Sequence, residues 1–299
     1  MASPGLVLKW CMPSPDPPRP PIAPTVASLR EAVGRWRGEG RRVALVPTMG
    51  GLHEGHFALV RRGRELCERV VVSIFVNPRQ FGAADDFAQY PRRLDADVAA
   101  LARIGAHLVF APAVAEMYPD GFATTVAVGG PLTRVLEAVH RPGHFEGVAT
   151  VVAKLLLQAG ADVALFGEKD FQQLQVVRRL VRDLDIPVRI EPVATVRDPD
   201  GLALSSRNFN LSQDERRAAA GFPAALFAAA ERVRRGDDVP ATLAAAGRQI
   251  LDAGFDSVDY VELAEAETLT PVRVRGDAPC RLFAAATIGR TRLIDNIAI

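Results

Sequence analysis

The apolar and polar positions are most sharply patterned between Arg41 and Cys67, RRVALVPTMGGLHEGHFALVRRGRELC, where a short apolar run gives way to glycines and then to a helical period. Val43 to Val46 is apolar with a valine at each end, and Pro47 stops it, which predicts a buried strand. Beyond the glycines, Phe57, Val60 and Leu66 fall on or near one helix face, with Arg61, Arg62 and Arg64 beside it. A short helix over Val26 to Trp36 precedes the strand. Arg69 to Val76 follows, apolar on both faces as a central parallel strand is, and Asn77-Pro78 ends it. Leu94 to Ile104 reads as a helix and His107 to Phe110 as a third strand. This alternation predicts an α/β fold, a Rossmann-like parallel sheet with right-handed crossovers.

A looser stretch comes next, with a possible strand at Thr124 to Val128. Val148, Val151, Val152 and Leu155 then mark one helix face at offsets of three, four and seven. Asp162 to Phe166 is a fourth parallel-type strand, and GEKD, Gly167 to Asp170, stands at its carboxyl end. Open α/β sheets bind ligands there, so the turns after Val46 and Phe166 are expected to open onto one crevice.

Past Ile190 the character changes. EPVATVRDPDGLALSSRN reads as a hairpin around Pro199-Asp-Gly, with Ser205, Ser206 and Arg207 on its return arm. Ser212 to Glu215 is a capping box opening an alanine-rich helix with Phe222, Leu226, Ala229 and Val233 on one face, stopped by Gly236. A second helix runs from about Pro240 to Gly254, and strand-like pieces at Val258 to Leu263 and Leu282 to Ile288 complete a smaller α+β domain. The division expected is a disordered proline-rich leader over 1–25, a Rossmann-like domain over 26–195 and an α+β lid domain over 196–299.

Composition narrows the function classes. The 299 residues carry a formal charge of +1, from 36 basic and 35 acidic side chains, which gives no general pull towards nucleic acid or anionic membrane. No apolar run approaches the ~20 residues of a membrane span. Cys11, Cys67 and Cys280 are far apart and form no metal-binding spacing, Cys67 reading as core; the chain suits a reducing cytoplasm, and its first residues carry no export signal.

Gly50, Gly51 and Gly55 let the backbone bend closely around a ligand, and His53 and His56 stand three residues apart where the helix begins, both facing its free N–H groups. Three readings remain open for this HEGH. It is a polar cap on a sheet helix, a phosphate site formed with the helix N-terminus, or a metal site, although HExxH zinc ligation needs histidines four apart. Lys169 is either a surface ion-pair partner of Glu168 or Asp170, or a phosphate contact. Ser205, Ser206 and Arg207 are either turn residues or a clamp whose hydroxyls and guanidinium donate to a triphosphate. No general-base carboxylate is evident, which suits adenylylation, where an ionised acid is already the nucleophile.

PTMGGLHEGH at 47–56, SIFVNPRQF at 73–81, YPR at 90–92, RPGHFEGVATVVAKL at 141–155, FGEKDFQQL at 166–174 and LSSRN at 204–208 occur in this order. In these motifs the chain, from about Val26 to Asn296, resembles the pantothenate synthetases, the pantoate–β-alanine ligases of the nucleotidylyltransferase superfamily related to class I aminoacyl-tRNA synthetases. The resemblance implies ATP with Mg²⁺, pantoate and β-alanine as substrates, a pantoyl-adenylate intermediate, release of AMP and pyrophosphate, and a homodimer. It places ATP against Met49, Gly50, Gly51, Leu52, His53, Glu54, Gly55 and His56, with His56 as proton donor and His53 as a second phosphate contact. Gly167, Glu168, Lys169 and Asp170 would meet ATP, Lys169 reaching its phosphates, and Val196 would touch adenine through its backbone. Leu204, Ser205, Ser206 and Arg207 would be a mobile phosphate-binding segment. Gln80 and Gln173 would hold pantoate, Gln80 also near the incoming amine. No protein metal ligand is implied. Gly51, where the family often has alanine or asparagine, and Leu204, where it often has methionine, depart from the pattern, the first expected to loosen the turn.

Two other functions fit the same fold: an adenylyltransferase with a nucleotide acceptor, and a non-catalytic nucleotide sensor. The first gives no reason for Gln80 and Gln173 to face a pantoate-sized cavity. The second predicts ATP binding without turnover.

Overall fold

The computed structural model describes residues 17–82, 87 and 90–299. Six strands form a wholly parallel sheet in the order β1-β4-β3-β2-β5-β6. They are β1 (Ile22–Ala23), β2 (Val43–Thr48), β3 (Arg69–Ile74), β4 (Leu108–Phe110), β5 (Val163–Gly167) and β6 (Arg189–Val193). Between them lie the helices α1 (Val26–Gly38), α2 (Glu54–Leu66), α3 (Leu94–Ile104), α4 (Val114–Met117), α5 (Glu137–His140), α6 (His144–Ala159) and α7 (Phe171–Asp183).

The period-2 geometry of β2 sorts its side chains into two cores. Val43 and Leu45 join a cluster with Leu29 and Val33 of α1, Val148, Val152 and Leu155 of α6, and Leu174 and Val177 of α7. Ala44 and Val46 face the other way, onto Leu59 and Val60 of α2 and Val98 and Leu101 of α3. Both faces are covered, so β2 and β3 are apolar almost throughout. The buried stripe of α2 is Leu59, Val60 and Gly63 rather than the expected Phe57, Val60 and Leu66.

The C-terminal part carries α8 (Gln213–Ala218), α9 (Gly221–Arg234), α10 (Val239–Asp252) and an antiparallel sheet of β7 (Ser257–Glu265), β8 (Cys280–Ile288) and β9 (Thr291–Ala298). Phe222, Leu226 and Val233 of α9 and Ile250 of α10 pack on Leu282, Ala284 and Ala286 of β8. The Ser212–Glu215 capping box forms as expected. We propose the division near Thr195, which falls between the last parallel strand and the short hairpin that follows.

Four expectations need correction. Residues 1–16 of the leader lie outside the described residues, but its end is ordered: Pro21 and Ala23 carbonyls accept from Val109 and Ala111 N–H at 3.0 and 3.0 Å, making β1 an edge strand. Thr124 to Val128 is no strand. Among the described residues no neighbouring backbone pairs with it, and Thr150 Oγ1 takes the Val126 N–H at 3.0 Å while Thr133 donates to the Val128 carbonyl at 2.7 Å. The hairpin is shorter than expected, because Arg189–Val193 is the sixth parallel strand; only the Arg197–Ala203 bridge and the turn closed by Gly201 remain. The alanine-rich helix is broken at Ala219-Ala220 into α8 and α9. The sequence reading also lacked β9.

Close approach fixes one glycine for a reason that bears on the site. A Cβ at Gly147 of α6 would stand 2.2 Å from the Arg79 carbonyl oxygen and 2.7 Å from Gln80 N. The single-turn helix Pro78–Gln80 therefore rests directly on the α6 backbone. Gly147→Ala should destabilise the protein by roughly 1–3 kcal/mol through overpacking. Gly247→Ala on α10, where a Cβ meets nothing within 4 Å, should instead stabilise it by up to ~1 kcal/mol. Urea unfolding of both variants checks this, and equal stabilities would contradict the packing described.

Candidate active site

The chain leaves β2 towards β3 and β4 on one side and returns to β5 and β6 on the other, so the strand order reverses between β2 and β5. The turns at the carboxyl ends of these two neighbours face each other across a cleft of about 1450 Å³, including its open mouth. Met49, His53, Gly55 and His56 line it from the first turn, Gly167, Lys169 and Asp170 from the second. Gln80 and Gln173 enter from one side, and Val196, Leu204, Ser205, Ser206 and Arg207 from the other. The crevice expected from the sequence is present.

The first turn is held differently from expectation. Gly50 and Gly51 have φ of 84° and 62°, the left-handed region that glycine enters without strain. Their donors are not free: Gly50 N–H bonds Thr48 Oγ1 at 3.2 Å, and the N–H groups of Gly51 and Leu52 bond the two oxygens of Asp97 at 3.0 and 3.0 Å. Asp97, on the first turn of α3, is 5% exposed. A buried carboxylate thus occupies the position in which an anionic ligand was envisaged, and it holds the turn that Gly51 was expected to loosen. Gly50, Gly51 and Leu52 lie outside the cleft lining, Glu54 is exposed and paired with Arg61, and Glu168 is engaged by Arg281 at 3.1 Å.

The histidines do cap α2, and the caps fix their protonation. His53 Nδ1 accepts from Gly55 N–H at 3.2 Å and His56 Nδ1 accepts from His53 N–H at 3.3 Å, the rings standing 4.1 Å apart. A backbone N–H can only donate, so each Nδ1 is bare and each neutral ring carries its proton on Nε2. Burial lowers the His53 pKa from 6.5 to about 4, with the Lys169 charge adding to it. His56 falls from 6.5 to about 3, chiefly by burial and then by its neighbour His53. The cap reading of HEGH is the one seen here: the rings cap the helix through Nδ1, and each keeps an Nε2–H donor. Among the described residues no group of three or more His, Cys, Asp or Glu could hold a metal ion.

On the opposite wall Gln80 is 9% exposed. Asn77 Nδ2 donates to its Oε1 at 3.0 Å, and its Nε2 donates to Met49 Sδ at 2.9 Å. Its carbonyl accepts from His144 Nδ1 at 3.0 Å, and His144 Nε2 takes a hydrogen bond from Arg141 at 3.1 Å. Burial, aided by the Arg141 charge, lowers the His144 pKa to about 4, so this ring too is neutral. Arg141, His144, Asn77 and Tyr90 all line the cleft, and none was singled out from the sequence. Arg141 and His144 lie in RPGHFEGV, where a guanidinium and an imidazole ahead of an apolar helix were an available signal.

The second turn belongs to both parts of the chain. Asn296 Nδ2, from β9, donates to the carbonyls of Glu168 and Lys169 at 2.9 and 2.9 Å. Lys169 is mostly buried and stands 3.9 Å from the Asp170 carboxylate. Ser205 Oγ accepts from Arg207 N–H at 3.2 Å, and Ser206 Oγ lies 3.5 Å from the Tyr90 hydroxyl. Val196 spends its carbonyl on Leu204 N–H at 3.0 Å. With neutral histidines, the charged side chains that line the cleft among the described residues are Arg141, Lys169, Arg207 and Asp170, a set that suits an anionic ligand.

Residues 21–298 match the family model for pantoate-beta-alanine ligase. The chain is 57% identical over 278 residues to the pantothenate synthetase of Paramagnetospirillum magneticum, covering 93% of this chain and 97% of that one. The pantothenate synthetase structure from Thermus thermophilus superposes with a TM-score of 0.88 at 48% identity, over 93% of this chain and 98% of that one. A pantoate-beta-alanine ligase from Francisella tularensis, crystallised with beta-gamma ATP and beta-alanine, gives 0.79 at 32% identity, over 93% of this chain and 97% of that one.

The protonation states carry a test. Because the folded pKa values of His53, His56 and His144 lie below 6.5, the stability these neutral rings contribute is fully present above pH 6.5. It is lost as pH falls towards about 4 for His53 and His144 and about 3 for His56. Histidine ring signals in NMR spectra of the free protein should include three that do not titrate between about pH 8 and about pH 5.5. Two of them should carry nitrogen shifts of the Nε2–H tautomer and one of the Nδ1–H tautomer. A midpoint near 6.5 for His53 or His56 would contradict the capping geometry.

Proposed function

The chain belongs to the pantoate-beta-alanine ligase family, and from that premise we propose which parts of the cleft perform the reaction. The protein is an ATP-dependent ligase that joins pantoate to β-alanine, giving pantothenate. The observation that carries the assignment of residues is the convergence in one cleft of two neutral Nε2–H donors, one mostly buried lysine, two glutamines and a serine–arginine segment.

In this reading ATP lies along the β2 turn with its phosphates between His53, His56 and Lys169. The pantoate carboxylate, held by Gln80 and Gln173, attacks the α-phosphate, and pyrophosphate leaves. His56 and His53 donate from Nε2 to phosphate oxygens, and Lys169 neutralises the charge that develops on the leaving group. The amine of β-alanine then attacks the carbonyl carbon of the acyl adenylate, and AMP leaves. Ser205, Ser206 and Arg207 close on the triphosphate from the C-terminal part, and the Val196 backbone meets adenine. Mg²⁺ would arrive with the nucleotide, its ligands largely phosphate oxygens, with the half-exposed Asp170 carboxylate the acidic group in the cleft lining. The enzyme acts in the cytoplasm, in keeping with two buried free thiols, Cys67 and Cys280, among the described residues. It works as a homodimer, with each active site contained in one chain.

Pyrophosphate exchange into ATP should require pantoate and not β-alanine. Exchange that instead requires a nucleotide acceptor, or ATP binding without any exchange, would sink the assignment in favour of a nucleotidyl acceptor or a sensor. Lys169→Ala and His56→Ala should each slow single-turnover adenylate formation about a hundredfold, the loss of roughly 3 kcal/mol of transition-state stabilisation. Near-normal rates would remove the role given to that residue. Light scattering at micromolar concentration should report twice the 32.2 kDa chain mass, and a clean monomer would overturn the dimer.

A further inference from the structure

Glu137, in the short helix α5, is 6% exposed and lies where α5 meets the C-terminal sheet. Its backbone is fixed from both sides. Leu136 before it takes a φ of 52°, and the Glu137 N–H donates to Gln172 Oε1 at 3.0 Å, while Gln172 Nε2 donates to the Leu132 and Val135 carbonyls at 2.8 and 2.9 Å. A carboxylate so enclosed needs a cation.

Two arginines are within reach. Arg292, from β9, donates to both oxygens at 2.7 and 2.7 Å, and the Tyr260 hydroxyl, from β7, donates to Oε1 at 2.7 Å. Arg292 Nε is in turn held by Asp259 at 2.6 Å. Arg141 follows Glu137 by four residues, a spacing at which the two would pair directly, yet its guanidinium stops 3.9 Å away. It turns to the cleft instead, donating to His144 Nε2 at 3.1 Å and towards the Gln80 carbonyl at 3.5 Å.

We infer that Arg292, with Tyr260, is a positioning residue: by occupying Glu137 it leaves the charge of Arg141 directed into the cleft for a substrate carboxylate. The inference rests on the ligase reading, in which pantoate and β-alanine both carry that group. Glu137 and Arg141 belong to the Rossmann-like part, while Arg292, Tyr260 and Asp259 belong to the C-terminal part. Arg141 is therefore available to a substrate only while β7 and β9 sit against α5. Without Arg292 the buried carboxylate draws Arg141 onto itself and out of the cleft.

A pair of variants separates this from a merely structural role. Arg292→Gln should raise KM for one carboxylate substrate roughly tenfold, the size of one lost charge-assisted hydrogen bond, with KM for ATP unchanged. Adding Glu137→Gln to Arg292→Gln removes the competitor and should return that KM most of the way to its original value, even if melting shows the double variant to be no more stable. A rise in the pantoate KM measured by exchange assigns the first acid; a rise confined to the β-alanine KM of the full reaction assigns the second. An unchanged KM for both acids in Arg292→Gln, or a double variant no better than the single one, overturns the inference and leaves the ligase reading standing. Loss of pantoate-dependent exchange in the unaltered protein overturns both.

Discussion

The geometry of the cleft depends on one buried carboxylate. Asp97 binds the N–H groups of two consecutive residues, Gly51 and Leu52, and so fixes the path of the chain between β2 and α2. Both its oxygens accept a backbone hydrogen bond at 5% exposure, and the left-handed glycines let the backbone reach it without strain. With the turn held from behind, Met49 on one side of it and His53 on the other project into the same space. The two imidazoles then take the N–H groups of His53 and Gly55 at the helix end, and each ring keeps an Nε2–H. In the proposed reaction the phosphates are met by these side-chain donors; burial keeps the rings neutral, and the capping hydrogen bonds decide which nitrogen carries the proton.

The second turn is held from the far end of the chain. Asn296 fastens the carbonyls of Glu168 and Lys169, Arg281 engages Glu168 and stacks 4.0 Å over Phe171, and Gln175 donates to the Ala266 carbonyl at 2.8 Å. These contacts place Lys169 through residues 91 to 128 positions away from their partners. A two-part enzyme built this way aligns Lys169 with His53 and His56 only when the C-terminal sheet is docked. The α5 network beside it has the same logic, since Glu137 is neutralised by Arg292 from the same strand, β9.

Much of this was legible in the chain. The central strands announce themselves because both faces are covered, and α3 runs over Leu94–Ile104, the span its periodicity indicates. The edges were not legible, for physical reasons. Strand β6, RIEPV, carries Glu191 and Pro192 because an edge strand is only partly buried and has fewer backbone partners to satisfy. Strand β1 is two residues long and lies in a proline-rich stretch with no period to detect. The histidine pair was visible from its glycine-flanked spacing, but its protonation was not, since that follows from which nitrogen meets the backbone. Asp97 was invisible for a different reason. It sits beside other acidic residues on a helix start, where aspartate is favoured anyway, and its partners are 45 and 46 residues away.

The electrostatic balance of the cleft bears on why neutral histidines suit the proposed phosphoryl chemistry. Among the described residues, Arg141, Lys169, Arg207 and Asp170 are the charged side chains that line the site. Two imidazolium ions would add further attraction that acts equally on ATP, on the adenylate and on departing pyrophosphate, and binding that is uniform along the reaction lowers KM without raising kcat. A neutral Nε2–H supplies direction instead of charge. Its energy depends on whether an oxygen lies along the N–H bond, so it can favour the geometry at phosphorus in the transition state over that in either neighbouring ground state. Burial strengthens such a donor, because water no longer competes for it, while making the charged alternative costly. In the proposed reaction, the burial that lowers the His53 and His56 pKa values is thus also what gives these rings their directional effect.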